Sequence, residues 1–334
     1  MRWGRTRLVW AMALGAVLAV GAQATTARAQ QPANVRIAAW GLGTAWYVYG
    51  AVMADLIRKA LPPGSKVDLL PFAGGVGNPK TVAQGNAEIG MAFSVTAKWA
   101  YEGKVAYDKP MPNLRGLVGG LDLYYLQAMV TARSGITSLE EVKRKKMKVR
   151  LATISVGGLG EFGTRQLLEA YGIGYGDLRA WGGSVTHTGL PTVAQMINDG
   201  RADLFIHVIT QKHPTVVEIT TTTELRFLPM SEAVIKHLEE VGYERGVLPA
   251  KSFKGQNEDV PSVIFPTTLI ARADLPELVT YAITKAIVEN KDALVRAHAA
   301  LRDFDPKAAW QPQKNGLPLH PGAIRYYREK GLMQ

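Results

Sequence analysis

Short apolar runs alternate with longer stretches of helical spacing along this chain, and the alternation occurs twice in succession. In the first segment an apolar run at 35–39 precedes a glycine loop and a stretch, 46–61, in which Val48, Val52 and Leu56 recur every four residues. Short apolar runs of this kind predict strands, and the four-residue spacing predicts a helix. Strands that alternate with helices are typical of an α/β fold.

A second segment repeats the order of elements. A strand at 147–155, a glycine loop at 156–161, a helix ending at Tyr171 and a strand at 178–181 follow one another, as their counterparts do in the first segment. The strand at 178–181 corresponds to the one predicted at 66–72. This duplication predicts two α/β lobes with a cleft between them.

The two segments also end alike. In the first, a loop at 74–78 leads to the signature G-N-A-E-I-G at 85–90. In the second, a loop at 182–191 leads to G-R-A-D-L-F at 200–205. The correspondence therefore extends over both segments from the first strand to the last.

The N-terminal residues indicate export. Three arginines precede an apolar run at 8–22, and an Ala-Arg-Ala sequence at 27–29 fits a signal peptidase site. We therefore predict a secretory signal at 1–29, cleaved near Ala29. A retained membrane anchor is the alternative, although the run is shorter than the roughly 20 residues that span a bilayer. After removal of the signal we expect no stable membrane insertion.

Composition narrows the classes of function. The 334 residues exceed what one core usually organises, and the absence of cysteine excludes disulfides and thiolate chemistry. Without the four arginines of the signal, the net charge falls from +11 to about +7. Part of that excess lies in the basic stretch at 143–150, which suits either a nucleic-acid patch or a solvated helix end. Since no aromatic residue that could stack on bases is interleaved with these charges, we expect no nucleic-acid partner.

Ligands of α/β lobes bind beyond the carboxyl ends of the strands, where helix N-termini present backbone N–H groups. Glycines there let the backbone approach a ligand, a threonine offers a hydroxyl, and aromatic rings offer flat apolar surface. For the aromatic rings, packing beneath the loop is the alternative, and for the asparagine a helix cap. The ligand-binding candidates of the first segment are Gly43, Thr44, Trp46, Tyr47, Gly75, Asn78 and Ser94.

In the second segment the same rule selects Gly158, Gly160 and Glu161, together with His207 and Gln211 after a later strand. The glycines match the G-x-G-x-x-G fingerprint of dinucleotide sites. An exported protein meets little nicotinamide cofactor, and no acidic residue ends the next predicted strand. We therefore predict a small-anion site and no cofactor.

Catalytic patterns are poorly represented. The six histidines show no metal-ligand spacing, and there is neither a nucleophile elbow nor a Walker loop. We predict no catalytic residue, no metal site and no enzymatic activity.

Several stretches resemble the TAXI family of substrate-binding proteins, which serve tripartite ATP-independent periplasmic (TRAP) transporters. Their order matches that of the family and they cover nearly all of the chain after the signal. The most specific are GLGTAWYVYGAVMADLI, FAGGVGNPKTVAQGNAEIGMAFS, VGGLGEFGTRQLLEAYG and the closing LPLHPGAIRYYREKGL.

The resemblance implies a periplasmic-binding-protein fold of type II, with two α/β lobes and a ligand cleft between them. Lobe one would comprise 33–130 plus 262–334 and lobe two 131–261, with crossings at 122–132 and 260–271. It also implies a periplasmic solute-binding protein that captures a small carboxylate by closing the cleft and delivers it to TRAP permease subunits. The alternatives are a ligand-sensing module for a membrane signalling protein or, with less support, an exported enzyme.

The resemblance places ligand contacts on Gly43, Thr44, Trp46 and Tyr47, on 75–78, and on 157–161. In the third element, Gly158 and Gly160 replace the serine and threonine that the family usually carries. Two hydroxyl donors for a carboxylate are therefore missing. This departure predicts a monocarboxylate or an aromatic acid rather than a dicarboxylate.

Overall fold

A computed structural model describes residues 31–42, 44–72 and 74–334 of the chain. The predicted signal at 1–29 lies outside the described residues, as does Gly43. The strands are β1 (Asn34–Ala39), β2 (Lys66–Pro71), β3 (Ile89–Phe93), β4 (Leu114–Val118), β5 (Leu123–Thr131), β6 (Arg150–Thr153), β7 (Ser184–His187), β8 (Leu204–Ile209), β9 (Leu225–Leu228), β10 (Glu244–Leu248) and β11 (Val260–Arg272). The helices are α1 (Ala45–Ala60), α2 (Gly77–Ala83), α3 (Ser94–Glu102), α4 (Leu139–Lys145), α5 (Leu159–Ala170), α6 (Tyr175–Ala180), α7 (Leu190–Asn198), α8 (Pro214–Thr222), α9 (Glu232–Glu240), α10 (Glu277–Val288), α11 (Lys291–Ala297), α12 (Pro312–Asn315) and α13 (Pro321–Glu329).

The strand order repeats the duplication seen in the sequence. One run of neighbours is β2-β1-β3 and another is β7-β6-β8, and in both the central strand pairs in parallel with its two neighbours. Thus β1 corresponds to β6, β2 to β7 and β3 to β8. The prediction of two α/β halves built to one plan is confirmed.

The strand β11 joins the two halves. Its first part, Val260–Pro266, pairs with β10 and β5, whereas its last part, from Thr267 onward, pairs with β3 and β4. The chain makes its other passage between β4 and β5, and β5 then pairs with β8 and β9 of the second half. Two crossing connections are what a type II binding-protein fold requires. The lobe boundaries given above stay a prediction.

The region after α5 differs from the sequence prediction. Residues 178–180 form the end of helix α6, with Trp181 as its C-cap, instead of a strand, and the strand β7 lies within the stretch predicted as a loop. The backbone N–H of Gly174 donates to the Asp177 carboxylate at 2.8 Å, which caps α6. Three of the four residues of β7 are polar and none is buried, so this strand left no apolar run to detect.

The basic stretch at 143–150 is the end of helix α4 followed by strand β6. The Lys143 ammonium donates to the Gly172 carbonyl, and Lys145 forms an ion pair with Glu141 one turn earlier at 2.5 Å. Both are ordinary contacts of a solvated helix end. Among the helices of the described ranges, none combines the length and apolarity needed to cross a membrane.

The core is continuous across the first half and into the second. Trp99 and Phe265 are fully buried in it, and Trp99 packs edge-on against Tyr243 at 5.4 Å between ring centroids. The C-terminal helix α13 belongs to this core, because the hydroxyl of Tyr327 donates to the Leu117 carbonyl at 3.0 Å. The closing segment of the chain thus anchors the first half.

Candidate functional site

A cavity of about 100 Å³ lies between the two halves, beyond the carboxyl ends of β1, β3, β6 and β8. The first half lines it with residues of the β1–α1 loop, Gly75 and Phe93, and the second half with Ile154, 158–160 and residues from the end of β8 to the start of α8. One water molecule needs roughly 10–15 Å³ of such space, so the cavity holds a small ligand. Its place between the halves agrees with the predicted cleft.

Four helices begin at this cavity. Ala45, Leu159, Leu190 and Pro214, which all line it, are the first residues of α1, α5, α7 and α8. Helix N-termini carry partial positive charge and unsatisfied N–H groups, which attract anions. Among the described lining residues there is no lysine, arginine, aspartate or glutamate. The field in the cavity therefore comes from backbone dipoles rather than from charged side chains.

The glycine loops of the two halves face each other across the cavity. A Cβ placed on Gly75 would lie 3.4 Å from the Cβ of Leu159 in the other half and 2.5 Å from the Phe93 ring. Any larger residue at this position would have to displace the aromatic ring. Gly75 therefore allows the close approach of the two halves.

Trp46 is at once a core residue and a wall of the cavity. It is 3% exposed, its Nε1 donates to the Thr267 hydroxyl at 3.0 Å, and its ring lies 4.7 Å from that of Phe93. Because Thr267 lies in β11 where that strand passes from one half to the other, Trp46 connects the cavity with the crossing. The sequence interpretation offered packing and ligand contact as alternatives, and the structure allows both.

Histidines dominate the polar part of the wall. His207 is 1% exposed and stacks on Phe205, and its ring centroid lies 5.6 Å from that of His213. Burial lowers the pKa of His207 well below the ordinary value, and His213 adds to this effect. Burial likewise lowers the pKa of His213 to about 4, with a contribution from nearby His298. All three imidazoles line the cavity, and at neutral pH His207 and His213 are uncharged.

Of the twelve ligand-binding residues that the sequence predicts, six line the cavity and five do not, while Gly43 lies outside the described residues. The six are Thr44, Trp46, Gly75, Gly158, Gly160 and His207. The five that lie elsewhere are Tyr47, Asn78, Ser94, Glu161 and Gln211.

Asn78 is a structural residue beneath the loop. Its amide nitrogen donates to the carbonyls of Ala38, Ala39 and Met91, and its amide oxygen accepts from the Gly74 N–H at 3.1 Å. Both groups of the side chain are thus used by the backbone. The helix-cap alternative is also wrong, because α2 begins at Gly77 and its N-cap residue is Val76, with no side-chain cap bond.

Glu161 turns away from the cavity. The carboxylate oxygen Oε1 accepts from Arg165 at 2.9 Å and from the Tyr175 hydroxyl at 3.2 Å, and the residue is 2% exposed. The side chain thus contacts Arg165 one turn later in α5 and Tyr175, the first residue of α6. It therefore orients α6 against α5 rather than touching a ligand.

The remaining three residues lie outside the cavity for different reasons. Tyr47 is half-buried on α1 and does not line the cavity, and Gln211 is exposed in the turn after β8. Ser94 borders a second cavity together with Gly242 and Gly316. A residue that is adjacent in sequence to a lining residue thus need not point its side chain into the cavity.

Sequence reasoning missed Phe93, Tyr124, His213 and His298, all of which line the cavity. For His213 a signal existed, because the following Pro214 is typical of a first helical residue and so marks another helix N-terminus after a strand. His298 comes from the distant C-terminal part of the chain. No local spacing could have placed it at the site.

The glycines of the dinucleotide fingerprint serve packing. A Cβ on Gly160 would lie 2.2 Å from the His207 Nδ1, and one on Gly163 would lie 3.0 Å from a methyl group of Leu126. These glycines let α5 lie directly against the sheet. Among the described residues, no group of three or more histidine or acidic side chains is arranged to hold a metal ion.

A model of the NMT1-like family matches residues 37–331. The chain is similar to the periplasmic binding protein BugD, with 14% identity and a TM-score of 0.51 over 90% of this chain and 98% of that one. It is also similar to MatC (Rpa3494) from Rhodopseudomonas palustris with bound malate, with 13% identity and a TM-score of 0.50 over 83% of this chain and 94% of that one. These similarities show that the chain has the two-lobed fold of periplasmic binding proteins.

Proposed function

The chain belongs to the NMT1-like family, and on that premise we propose that it is a periplasmic solute-binding protein of the TAXI type. It captures a small organic acid between its two lobes and delivers it to a TRAP-type permease. Binding-protein folds among its structural neighbours, including one with bound malate, support capture of a small solute. The TAXI-like stretches in the sequence support the choice of permease.

The observation that carries the proposal is the meeting of four helix N-termini from both halves at one cavity. Backbone N–H groups at a helix N-terminus bind carboxylates without a charged side chain. Since α1 belongs to the first half and α5, α7 and α8 to the second, a bound anion contacts both. A ligand that contacts both halves stabilises the closed form over the open one.

The lining favours an acid with one anionic end. Apart from the histidines, the polar side chains on the described wall are a few hydroxyls. The aromatic rings of Trp40, Trp46, Phe93 and Tyr124 line much of the remaining wall. A second carboxylate would be buried without a charged partner, which costs several kcal/mol. We therefore propose a monocarboxylate with an apolar or flat body.

Closure would occur about the two crossings. β11 passes from one sheet pairing to the other at Thr267, and the second passage lies near Asp122, whose backbone carbonyl accepts from the Thr267 N–H at 3.1 Å. The two crossings are thus hydrogen-bonded to each other. Domain closure of this type moves two rigid halves about a few connecting residues.

Isothermal titration calorimetry with benzoate, phenylacetate, malate and 2-oxoglutarate tests the ligand class. We expect the two monocarboxylates to bind and the two dicarboxylates to bind at least about tenfold more weakly. Binding of the dicarboxylates alone would refute the proposed class. Binding of none of the acids would contradict solute capture through a carboxylate.

A designed variant tests the cavity itself. Leu190→Asp places a carboxylate at the first residue of α7, where it is compatible with the helix dipole but repels an anionic ligand. We expect binding of benzoate to weaken about tenfold or more with the fold retained. Leu278→Asp is the matched control, because Leu278 is 47% exposed in the first turn of α10, away from the cavity. Equal affinities of the two variants would remove the cavity from the proposal.

The permease assignment needs a cellular test. Deletion of the gene should abolish uptake of the captured acid, and the wild-type gene should restore it. Uptake through a TRAP permease should stop when the ion gradient is dissipated and continue when only ATP is depleted. The reverse pattern would assign the protein to an ATP-driven transporter.

A further inference from the structure

The two histidines on the second-half wall have unused hydrogen-bonding groups. The Nδ1 of His213 is buried and has no partner among the described residues. The Nδ1 of His207 also has none, but it lies against Gly160 of α5, so His213 is the ring whose free nitrogen a ligand can reach. The imidazole rings meet edge to face with centroids 5.6 Å apart. Buried polar atoms without partners are rare in folded proteins, and at a binding cavity they indicate a group that a ligand completes.

The charged groups around this pair leave it isolated. His298 faces His213 from the segment after α11, and Tyr124 of β5 lines the same cavity. Asp122, which accepts from the Tyr49 hydroxyl, and Glu161, which accepts from Arg165, do not line the cavity. The following Lys212 is exposed. The groups on the described wall that can acquire a full positive charge are therefore the three histidines.

Starting from the proposed capture of an organic acid, we propose that His213 takes up a proton when the acid enters the cavity. The protein then binds an anion and a proton together, and the pair is neutral inside the closed cleft. The chemical class of the ligand is an acid that is ionised in solution and is held as an ion pair with an imidazolium. No covalent bond changes in this step.

The environment of His213 determines whether affinity for the acid rises or falls with pH. Without ligand, burial keeps its pKa at about 4, so the ring is neutral at neutral pH. An opposite charge within about 4–6 Å moves a pKa by roughly 1–3, and a carboxylate bound beside His213 raises the pKa of the ring. Affinity should therefore rise as the pH falls below the pKa of the complex, and level off near the pKa of the free protein.

Calorimetry measures this coupling directly in the unmodified protein. Benzoate, which stays ionised above about pH 5.5, is titrated at pH 6 in two buffers that differ in their heat of ionisation. We expect a heat difference that corresponds to the uptake of up to one proton. We also expect the dissociation constant to fall by up to about tenfold for each pH unit between 7.5 and 5.5.

His213→Gln removes the titrating group and keeps a hydrogen-bonding side chain. We expect it to bind benzoate more weakly than the wild type at pH 6, with no buffer-dependent heat and no dependence of affinity on pH. His237→Gln is the matched control, because His237 is 57% exposed on α9, and it should behave as the wild type. A thermal unfolding curve of each variant checks that the fold is retained.

The outcomes separate this inference from the proposed function. Equal heats in both buffers with the wild type, or a pH dependence that survives in His213→Gln, would overturn the proton uptake while leaving solute capture intact. If neither benzoate nor any other acid of the panel binds between pH 5.5 and 7.5, both proposals fall.

Discussion

Arg36 of β1 holds the carboxylate of Glu88, just before β3, through two side-chain hydrogen bonds of 3.0 and 2.7 Å. The second half contains the same arrangement, since Arg150 of β6 binds Asp203, just before β8, at 2.8 and 2.5 Å. In both, the guanidinium also donates to the carbonyl of the glycine three residues before the acid. The signatures G-N-A-E-I-G and G-R-A-D-L-F are therefore one structural device used twice.

These pairs fix the register of the parallel strands, so breaking them should cost stability. We expect Asp203→Asn and Glu88→Gln each to lower the free energy of unfolding by about 1–2 kcal/mol, because each removes a charge-assisted pair that is partly shielded from water. Urea denaturation measures the change. Asp199→Asn is the control, since its ion pair with Arg201 is exposed on both sides and such pairs contribute little. Equal losses in all three variants would contradict the argument.

The Arg150–Asp203 pair should also affect how the stability of the protein decreases at acidic pH. Burial raises the pKa of Asp203, but the hydrogen bonds from Arg150 outweigh it and hold the pKa below the ordinary value. A carboxyl group of this kind stabilises the fold above its unfolded-state pKa, and that stability is lost as the pH falls through the folded-state pKa. Below about pH 4, we therefore expect the stability of Asp203→Asn to fall less steeply than that of the wild type. Parallel curves would contradict this.

Asp122 should change the pH dependence of stability in the opposite sense to Asp203. Burial raises its pKa to about 6, although a hydrogen bond from the Tyr49 hydroxyl at 3.0 Å favours the ionised form. Because the folded state then binds the proton more tightly than the unfolded state, stability decreases as the pH rises from about 4 to about 6. We expect the stability of Asp122→Asn relative to the wild type to increase over this range, on the order of 2–3 kcal/mol. Urea unfolding at several pH values measures it, and a constant difference would be evidence against an acid of raised pKa.

Much of the fold could be predicted from the sequence because its central strands are apolar and its glycine loops recur. β1, β6 and β8 are buried on both faces and so leave runs that any periodicity analysis detects. β7 was missed because it lies at the edge of the sheet and is polar and half-exposed. The hydrophobic pattern of a sequence reflects which residues are buried, and few residues of an edge strand are buried.

The candidate site could be predicted only to the level of its loops. The rule that ligands bind beyond strand ends led to Thr44, Gly75 and Gly158, which line the cavity. Side-chain direction was not predictable, since Asn78 turns inward to the backbone and Glu161 turns toward Arg165. Such directions depend on neighbours from other elements, which a linear pattern does not contain.

Gly160 provides a direct test of how α5 is seated against the histidine wall. A Cβ at this position would lie 2.2 Å from the His207 Nδ1 and 2.9 Å from the Ile154 side chain, both of which line the cavity. We expect Gly160→Ala to lower the free energy of unfolding by about 1–3 kcal/mol, because the helix must move away from the sheet or His207 must rotate. Gly176→Ala is the matched control in the exposed first turn of α6, where an added Cβ meets nothing within 4 Å. Alanine there should be neutral or stabilising by up to about 1 kcal/mol.

Thermal unfolding of both variants, followed by calorimetry with benzoate, distinguishes the two positions. Because His207 forms part of the ligand wall, Gly160→Ala should also weaken benzoate binding, whereas a variant with wild-type stability and affinity would show that this close approach is unimportant.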